Sequence, residues 1–253
     1  MQFINLISGA QVRVGEGLRS HTHEVQTSDS FELLGRRVTL IDTPGFDDTT
    51  MTDTEVLRLI GMHLSNGYVV PRLDKSPLLT FICSCREDGK LSGVVWMHRI
   101  SDPKMGGISP RNFRLLRALV GEATLEKVVV VTNMWSQVNE QEGIIREHEL
   151  ATEDLLFKPA LGKGAQMMRH NDAAESARNI IQRFVEKLLQ SLQIQTELLD
   201  DGKDLQQTCA GGQLETQEMG LSEAMTNMGR QYGETETIKA NQIENSKANC
   251  RIC

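Results

Sequence analysis

The sequence feature that most constrains the fold is an apolar run that ends in polar residues, KVVVVTNMW at 127–135. A strand this apolar is typical of a sheet covered on both faces. A second apolar run stands at 93–100 (GVVWMHRI), and segments with helical spacing of apolar residues stand at 53–65 and 109–121. Strands that alternate with helices in this way predict an α/β fold with a mostly parallel sheet.

Further elements are expected on either side of these runs. Residues 3–10 resemble the first turns of a helix that ends at Gly9. Residues 23–34 and 36–42 are predicted to be two strands of a hairpin joined at Gly35. The remaining predicted helices are a charged one at 140–157 and a longer one at 173–193.

The composition changes after residue 193. Gln, Glu, Thr and Asn become dense, and the few apolar residues do not hold a clean heptad. We therefore expect a domain at 1–193 and a polar, partly helical tail at 194–253 with a break at Gly211-Gly212. Self-association of this tail as a coiled coil is the alternative to a solvated or disordered extension.

The overall composition argues against several classes of protein. A net charge of −7 is unfavourable for a general nucleic-acid-binding surface. The sequence contains no run of about eighteen apolar residues, so no transmembrane segment is expected. The first residues lack the features of a signal peptide, and five scattered cysteines fit a reducing compartment. These features together predict a cytoplasmic protein.

The first candidate site lies in TLIDTPGFDDT at 39–49. Asp42 is expected at the carboxyl edge of the sheet, where ligands bind in open α/β folds. An Asp-x-x-Gly sequence after an apolar strand suits a nucleotide switch, in which Asp42 holds Mg²⁺ through water and Gly45 offers a backbone N–H to the terminal phosphate. A simple turn is the alternative interpretation, because Asp, Pro and Gly all favour turns.

Four stretches occur in an order that resembles a known family. They are FINLISG at 3–9, IDTPGFDDT at 41–49, MHRISDPKMGG at 97–107 and VVVVTNMW at 128–135. Over residues 2–210 the chain resembles the AIG1/Toc34/septin-like group of P-loop GTPases, most closely fungal proteins described as G-domain-containing. The resemblance implies a three-layer P-loop NTPase-like sandwich with one antiparallel hairpin strand, and a switch or GTPase that uses GTP and Mg²⁺.

The phosphate-binding loop of that family has no counterpart in this sequence. Met1-Gln2 leads directly into Phe3, and no G-x-x-x-x-G-K-S/T motif occurs elsewhere. The resemblance thus implies a missing first strand, unpaired strand edges beside it, and weak or absent GTP binding, since each lost charge-assisted hydrogen bond is worth roughly 1.5–3 kcal/mol. An impaired GTPase, a pseudo-GTPase that acts as an interaction module without nucleotide, and a non-functional fragment are the three open interpretations.

The resemblance transfers further residues to the nucleotide site. Thr22 matches the switch threonine that contacts Mg²⁺ and the γ-phosphate. Asn133 and Trp135 stand where the family reads guanine, but the usual carboxylate is absent, so the choice between guanine and adenine stays open. Trp135 is either a base-stacking residue or sheet-edge packing. Arg99 either stabilises charge or anchors a loop, and no catalytic residue is assigned.

The partners and the C-terminus are less constrained. The resemblance implies a homodimer across the nucleotide face, and the protein partner is unknown. The last four residues have the form of a prenylation box at Cys250, although the final Cys and Arg251 depart from the usual pattern. An unmodified terminus is the alternative. No histidine or cysteine spacing predicts a zinc site.

The segment 66–85 has no counterpart in the family and is expected to be an insertion. Its residues can be encoded by strings that resemble splice signals, and its removal keeps the reading frame, so we hypothesise a retained intron. A genuine surface insertion is the alternative, because long loops are tolerated at small entropic cost. The intron hypothesis predicts a poorly packed excursion in which Phe81 and Ile82 lack a core site.

Overall fold

The computed structural model of the chain describes residues 2–9, 25–46, 51–66, 81–84, 91–102, 110–185, 187 and 190–216. The chain divides into two compact units, Met1–Gln213 and Leu214–Cys253. The first unit therefore continues past residue 193, where the sequence analysis ends the domain. Leu192, Ile194 and Ala210 are buried in this continuation.

The helices and strands follow the alternation that the sequence predicts. The strands are β1 (Gln26–Thr27), β2 (Phe31–Leu33), β3 (Arg36–Asp42), β4 (Phe81–Ser84), β5 (Gly93–Arg99), β6 (Val128–Asn133) and β7 (Gln166–Arg169). The helices are α1 (Gln2–Ser8), α2 (Asp53–Asn66), α3 (Pro110–Val120), α4 (Glu140–Thr152), α5 (Lys158–Leu161), α6 (Ala174–Val185), α7 (Gln193–Gln195) and α8 at 209–216. Among these helices, none is long and apolar enough to span a membrane.

The strands form one mixed sheet in the order β1-β3-β4-β5-β6-β7, with β2 paired to β3. The pairings of β5 with β6 and of β6 with β7 are parallel. The pairings of β3 with β1, β2 and β4, and of β4 with β5, are antiparallel. The α/β class is therefore confirmed, but the expectation of a mostly parallel sheet with a single antiparallel hairpin strand is wrong for the described strands.

The predicted hairpin at Gly35 is confirmed. Leu34 and Gly35 connect β2 to β3, and both have a positive φ, 51° and 72°. Two consecutive positive φ values are typical of the two-residue turn that matches the twist of an antiparallel pair. This turn fixes the register in which Phe31 lies opposite Val38. Strand β3 then runs antiparallel to β2 and ends at Asp42.

Strand β4 lies inside the segment that was expected to be a poorly packed insertion. Phe81 pairs with Asp42 of β3 on one side and with Val95 of β5 on the other. The expected excursion is therefore wrong for residues 81–84, and residues 67–80 lie outside the described part of the chain. The unpaired edges expected beside a missing strand are also wrong for β3 and β5, because β4 satisfies the backbone groups between them.

The hydrophobic core on one face of the sheet lies against α1 and α6. Successive side chains of a strand point to opposite faces, so alternate residues of the central strands share this face. Gly93 has no side chain here, and a Cβ atom would lie 2.1 Å from Cδ1 of Phe184. The core cluster includes Phe3, Ile4, Val38, Leu40, Val95, Met97, Val129, Val131, Ile180, Ile181 and Phe184.

The residues after α6 also differ from the polar tail that their composition predicts. Gly211 and Gly212 lie within α8, so the expected break at this pair is wrong. Gln195 and Glu197 are buried. Gln195 donates a hydrogen bond to the carbonyl of Leu64 at 3.4 Å, and Glu197 accepts one from the backbone N–H of Cys209 at 3.0 Å. Polar residues are therefore part of the core here because they have partners.

Candidate functional site

Asp42 ends β3 and is only 3% exposed. Its Oδ2 atom is buried and has no hydrogen-bond partner among the described residues. Burial raises the pKa of this carboxyl from 3.8 to about 6, and the positive charge of the chain's N-terminus partly opposes that rise. A buried carboxylate oxygen without a partner is unfavourable unless a cation or a proton meets it, so Asp42 is a candidate ligand-binding group.

The loop after Asp42 is buried and anchored to a neighbouring helix. Residues 43–46 are all buried. Asn112 on α3 is fully buried, and its Nδ2 donates a hydrogen bond to the carbonyl of Phe46 at 3.4 Å. Gly45 lies within this loop and Thr43 at its start. The predicted switch threonine, Thr22, lies outside the described residues.

The residues near Asp42 fit Mg²⁺ as a water-coordinated ion rather than as an ion held by a cage of side chains. No group of three or more His, Cys, Asp or Glu that could hold a metal occurs among the described residues. Mg²⁺ prefers oxygen ligands, keeps several waters and often takes only one or two carboxylates besides phosphates. One unpaired carboxylate oxygen at Asp42 satisfies that requirement.

The second part of the site lies at the end of β6. Asn133 is 8% exposed, and its Oδ1 atom is buried without a hydrogen-bond partner in the described structure. Its backbone carbonyl accepts a hydrogen bond from Ile100 at 3.0 Å. Met134 then adopts a left-handed conformation with φ 59°. Such strain in a non-glycine residue is common at functional sites, and here it turns the chain sharply into Trp135.

Trp135 is half-buried and held on several sides. Its Nε1 donates to the carbonyl and the hydroxyl of Thr132, both at 3.1 Å. The guanidinium carbon of Arg169 lies 4.1 Å from the ring centroid, which is a cation–π distance. A Cβ atom on Gly143 of α4 would lie 2.8 Å from the ring, so glycine permits this close packing. The ring therefore has packing contacts of the kind proposed as the alternative to base stacking.

Glu147 connects these groups and was missed in the sequence analysis. It accepts hydrogen bonds from Arg169 Nε at 2.9 and 3.0 Å, and from the hydroxyl of Thr132 at 3.3 Å. Glu147 lies on α4 and Arg169 on β7. Their separation in sequence gave no signal of this contact, because only the packing of α4 beside the sheet brings them together.

His98 and Arg99 end β5 beside this cluster, in register with Thr132 and Asn133. Burial lowers the pKa of His98 to about 4, so the imidazole is neutral at neutral pH. Its ring makes an edge contact with Phe157, with centroids 6.2 Å apart. The Nε atom of Arg99 is buried and has no hydrogen-bond partner among the described residues.

The two parts of the site are staggered along the sheet. Asp42 aligns through Phe81 with Val95, whereas Asn133 aligns with Arg99. The offset of four residues along β5 corresponds to roughly 13 Å at about 3.3 Å per residue. Asp42 and Asn133 are therefore offset along the strands and are also separated by β4 and β5 across the sheet, so a single ligand would have to be extended to contact both.

Comparison with known proteins identifies no family for this chain. No protein-family model matches the chain, and no curated protein matches it significantly.

Proposed function

We propose that the chain is a GTP-binding protein of the G-domain type, built as a nucleotide-dependent switch or GTPase, with impaired affinity for nucleotide. The observation that carries the proposal is the buried, unpartnered carboxylate oxygen of Asp42 at the end of β3. A cation at this oxygen offsets the unfavourable burial of its charge. An Mg²⁺-bound triphosphate brings such a cation to the carboxyl edge of an α/β sheet.

The described residues have distinct roles in this proposal. Asp42 would hold Mg²⁺ through water, and a bound Mg²⁺ would offset the charge of the phosphates. The loop that contains Gly45 presents its backbone N–H to the terminal phosphate and is steadied by the contact of Asn112 with Phe46. Thr22 is the proposed second ligand of Mg²⁺. Hydrolysis would proceed by in-line attack of water on the γ-phosphate.

The proposed impairment has two sources. The 253 residues contain no G-x-x-x-x-G-K-S/T motif to cradle the phosphates with backbone amides and a lysine. At the base end, Asn133 offers one unpartnered carbonyl oxygen. The nearby carboxylate, Glu147, is paired with Arg169. The site therefore has a metal-binding oxygen but few groups that hold phosphates or select a base.

A pseudo-GTPase that acts as a protein-interaction module is the second candidate. The observation that favours it is the packing of Trp135 against the chain's own side chains. Arg169 covers the ring, and Thr132 accepts the indole N–H. The end of β6, where the resemblance places the nucleotide base, is therefore held by contacts within the chain and needs no nucleotide to be stable.

Nucleotide titration of the 253-residue chain tests the proposal. We expect a fluorescent GTP analogue to bind with a dissociation constant above the micromolar range, and more tightly with Mg²⁺ than with EDTA. Asp42→Asn should abolish the difference in affinity between Mg²⁺ and EDTA. Asp29→Asn should retain it, because Asp29 is exposed in the loop between β1 and β2.

The outcomes separate the two candidates. Micromolar or tighter binding by a homogeneous preparation contradicts the impairment. Equal Mg²⁺ dependence in Asp42→Asn and the wild type contradicts the role of Asp42. No binding at millimolar nucleotide favours the pseudo-GTPase.

A further inference from the structure

A concave region lies away from Asp42 and Asn133. It has a volume of about 590 Å³ and is lined by the C-terminal half of α3, the segment that follows it, α7 and α8. Its residues Gly121 and Glu122 come just before the start of β6. The region is therefore near the amino edge of the sheet, whereas the candidate nucleotide site is at the carboxyl edge. Cavities of roughly 300–1,000 Å³ are typical of small-ligand sites.

The cationic groups of this cavity outnumber the anionic ones. Arg114 and Arg117 are three residues apart on α3, which places them on one face of the helix. Arg117 is paired with Glu122, and Lys163 is paired with the same carboxylate. Arg114 is exposed and has no ion pair in the described structure. The lining thus holds two arginines and one carboxylate, and Lys163, which lies outside the lining, also pairs with that carboxylate.

The remaining polar lining consists of neutral groups, many of which can donate hydrogen bonds. Gln193 and Gln213 contribute side-chain amides. Cys209 is also part of the lining, and its pKa is raised, chiefly by a hydrogen bond with the carboxylate of Glu197. The thiol therefore stays neutral at physiological pH and adds no negative charge.

Close backbone packing brings these groups together. Gly121 has φ 91°, and a Cβ atom there would lie 2.7 Å from Cβ of Gln193. Only glycine allows α7 to approach the end of α3 this closely. The cavity is therefore built by a specific approach of two elements within one compact unit.

We propose that this cavity binds a small polyanion, a molecule with two or more phosphate or carboxylate groups, through Arg114 and Arg117. Guanidinium groups bind phosphate and carboxylate through paired, charge-assisted hydrogen bonds. A bound anion also relieves the repulsion between two arginines on one helix face. The site shares no residue with the candidate nucleotide site, so it does not depend on the proposed function.

Calorimetric titration with inorganic pyrophosphate and, separately, with citrate tests this site in the full chain at low salt. We expect at least one probe to bind with a submillimolar dissociation constant. Arg114→Gln should weaken that binding at least tenfold, and folding should be unaffected because Arg114 has no ion pair to lose. Arg178→Gln, which removes an exposed arginine of α6, should change it less than twofold. Which probe binds distinguishes phosphate from carboxylate as the preferred group.

The alkylation rate of Cys209, which lines the cavity, tests whether the probe binds there. Saturating probe should slow the alkylation of this exposed thiol, measured by peptide mass spectrometry, in the wild type and in Asp42→Asn. The same probe concentration should give clearly weaker protection in Arg114→Gln. Absence of binding by both probes, equal weakening in Arg114→Gln and Arg178→Gln, or unchanged alkylation of Cys209 would each overturn the proposal.

Discussion

The indole N–H of Trp135 points back to Thr132, whose carbonyl and hydroxyl oxygens both accept it at 3.1 Å. This contact spans the strained Met134 and fixes the turn at the end of β6. Arg169 then lies over the fixed ring, at 4.1 Å from its centroid. The end of β6 is therefore ordered by contacts within the chain itself.

Trp135→Phe should destabilise the fold by about 1 kcal/mol, because it keeps a ring beside Arg169 but removes one hydrogen-bond donor. Trp135→Ala should cost about 2–3 kcal/mol, since it also removes the ring's packing. Urea unfolding followed by circular dichroism measures both changes. Full stability in Trp135→Ala, combined with a loss of nucleotide binding, would instead identify the residue as a base-stacking group.

Asp42→Asn should stabilise the protein at neutral pH. The folded-state pKa of Asp42 is raised to about 6, so its stabilising contribution is present below pH 3.8 and is lost as the pH rises through 6. The variant does not titrate there, and its advantage over the wild type should grow from about 0.5 kcal/mol at pH 4 to about 3 kcal/mol above pH 7.

The measurement for Asp42→Asn is the difference in unfolding free energy between variant and wild type in buffers from pH 4 to 8. Asp29→Asn, which changes an exposed carboxylate, should show no comparable trend. A constant difference across the range would contradict the burial of an unpartnered charge at position 42.

His98 should make the fold sensitive to acid. Its pKa is lowered to about 4 by burial, so the stability it provides is complete above pH 6.5 and is lost as the pH falls towards 4. His98→Gln removes this contribution, which is about 3 kcal/mol at its largest. The unfolding free energy of the variant should therefore fall less steeply between pH 6.5 and 4, and parallel curves would show that His98 is not buried in this way.

The adjacent glycines of α8 should respond in opposite directions to alanine. A Cβ atom at Gly211 would lie 2.1 Å from the carbonyl oxygen of Leu205, whereas a Cβ atom at Gly212 would meet no atom within 4 Å. Gly211→Ala should destabilise the protein by about 2–3 kcal/mol through overpacking. Gly212→Ala should stabilise it by up to about 1 kcal/mol, because alanine favours the helix.

Thermal and urea unfolding of the two glycine variants side by side provides the comparison. The pair is internally controlled, since the same change is made at neighbouring positions. Equal effects would mean that the helical residues 209–213 do not pack against the turn at Leu205.

The elements that were predicted correctly have local signals. The apolar run of β6, the helical spacing of α2 and the turn at Gly35 each depend on residues close together in the sequence. Strand β4 was missed because its four residues give too short a pattern to predict a strand. They form one because they pair with β3 on one side and with β5 on the other. The polar segment after residue 193 was misread because burial of Gln195 and Glu197 depends on distant partners such as Leu64.

The candidate site shows the same division. Asp42 and Gly45 were proposed because they follow an apolar strand, whose end lies at the ligand-binding edge of a sheet, whereas Asn133 was proposed from the family resemblance; their role in binding stays a prediction. The contacts of Trp135 with Arg169 and Glu147 involve three separate elements. Their pairing reflects the packing of α4 and β7, which no sequence period specifies.

The position of β4 has a consequence for cooperativity. In the described sheet, β4 is the only strand that joins the β1–β3 group to the β5–β7 group. Its four residues are a joint between two half-sheets, and hydrogen exchange of their backbone amides would report whether the halves open together or separately. Because β3 and β5 run in the same direction, a chain that lacks this segment would have to join them as a parallel pair. The same short segment therefore decides both the hydrogen-bonding pattern at the centre of the sheet and the number of cooperative units into which it unfolds.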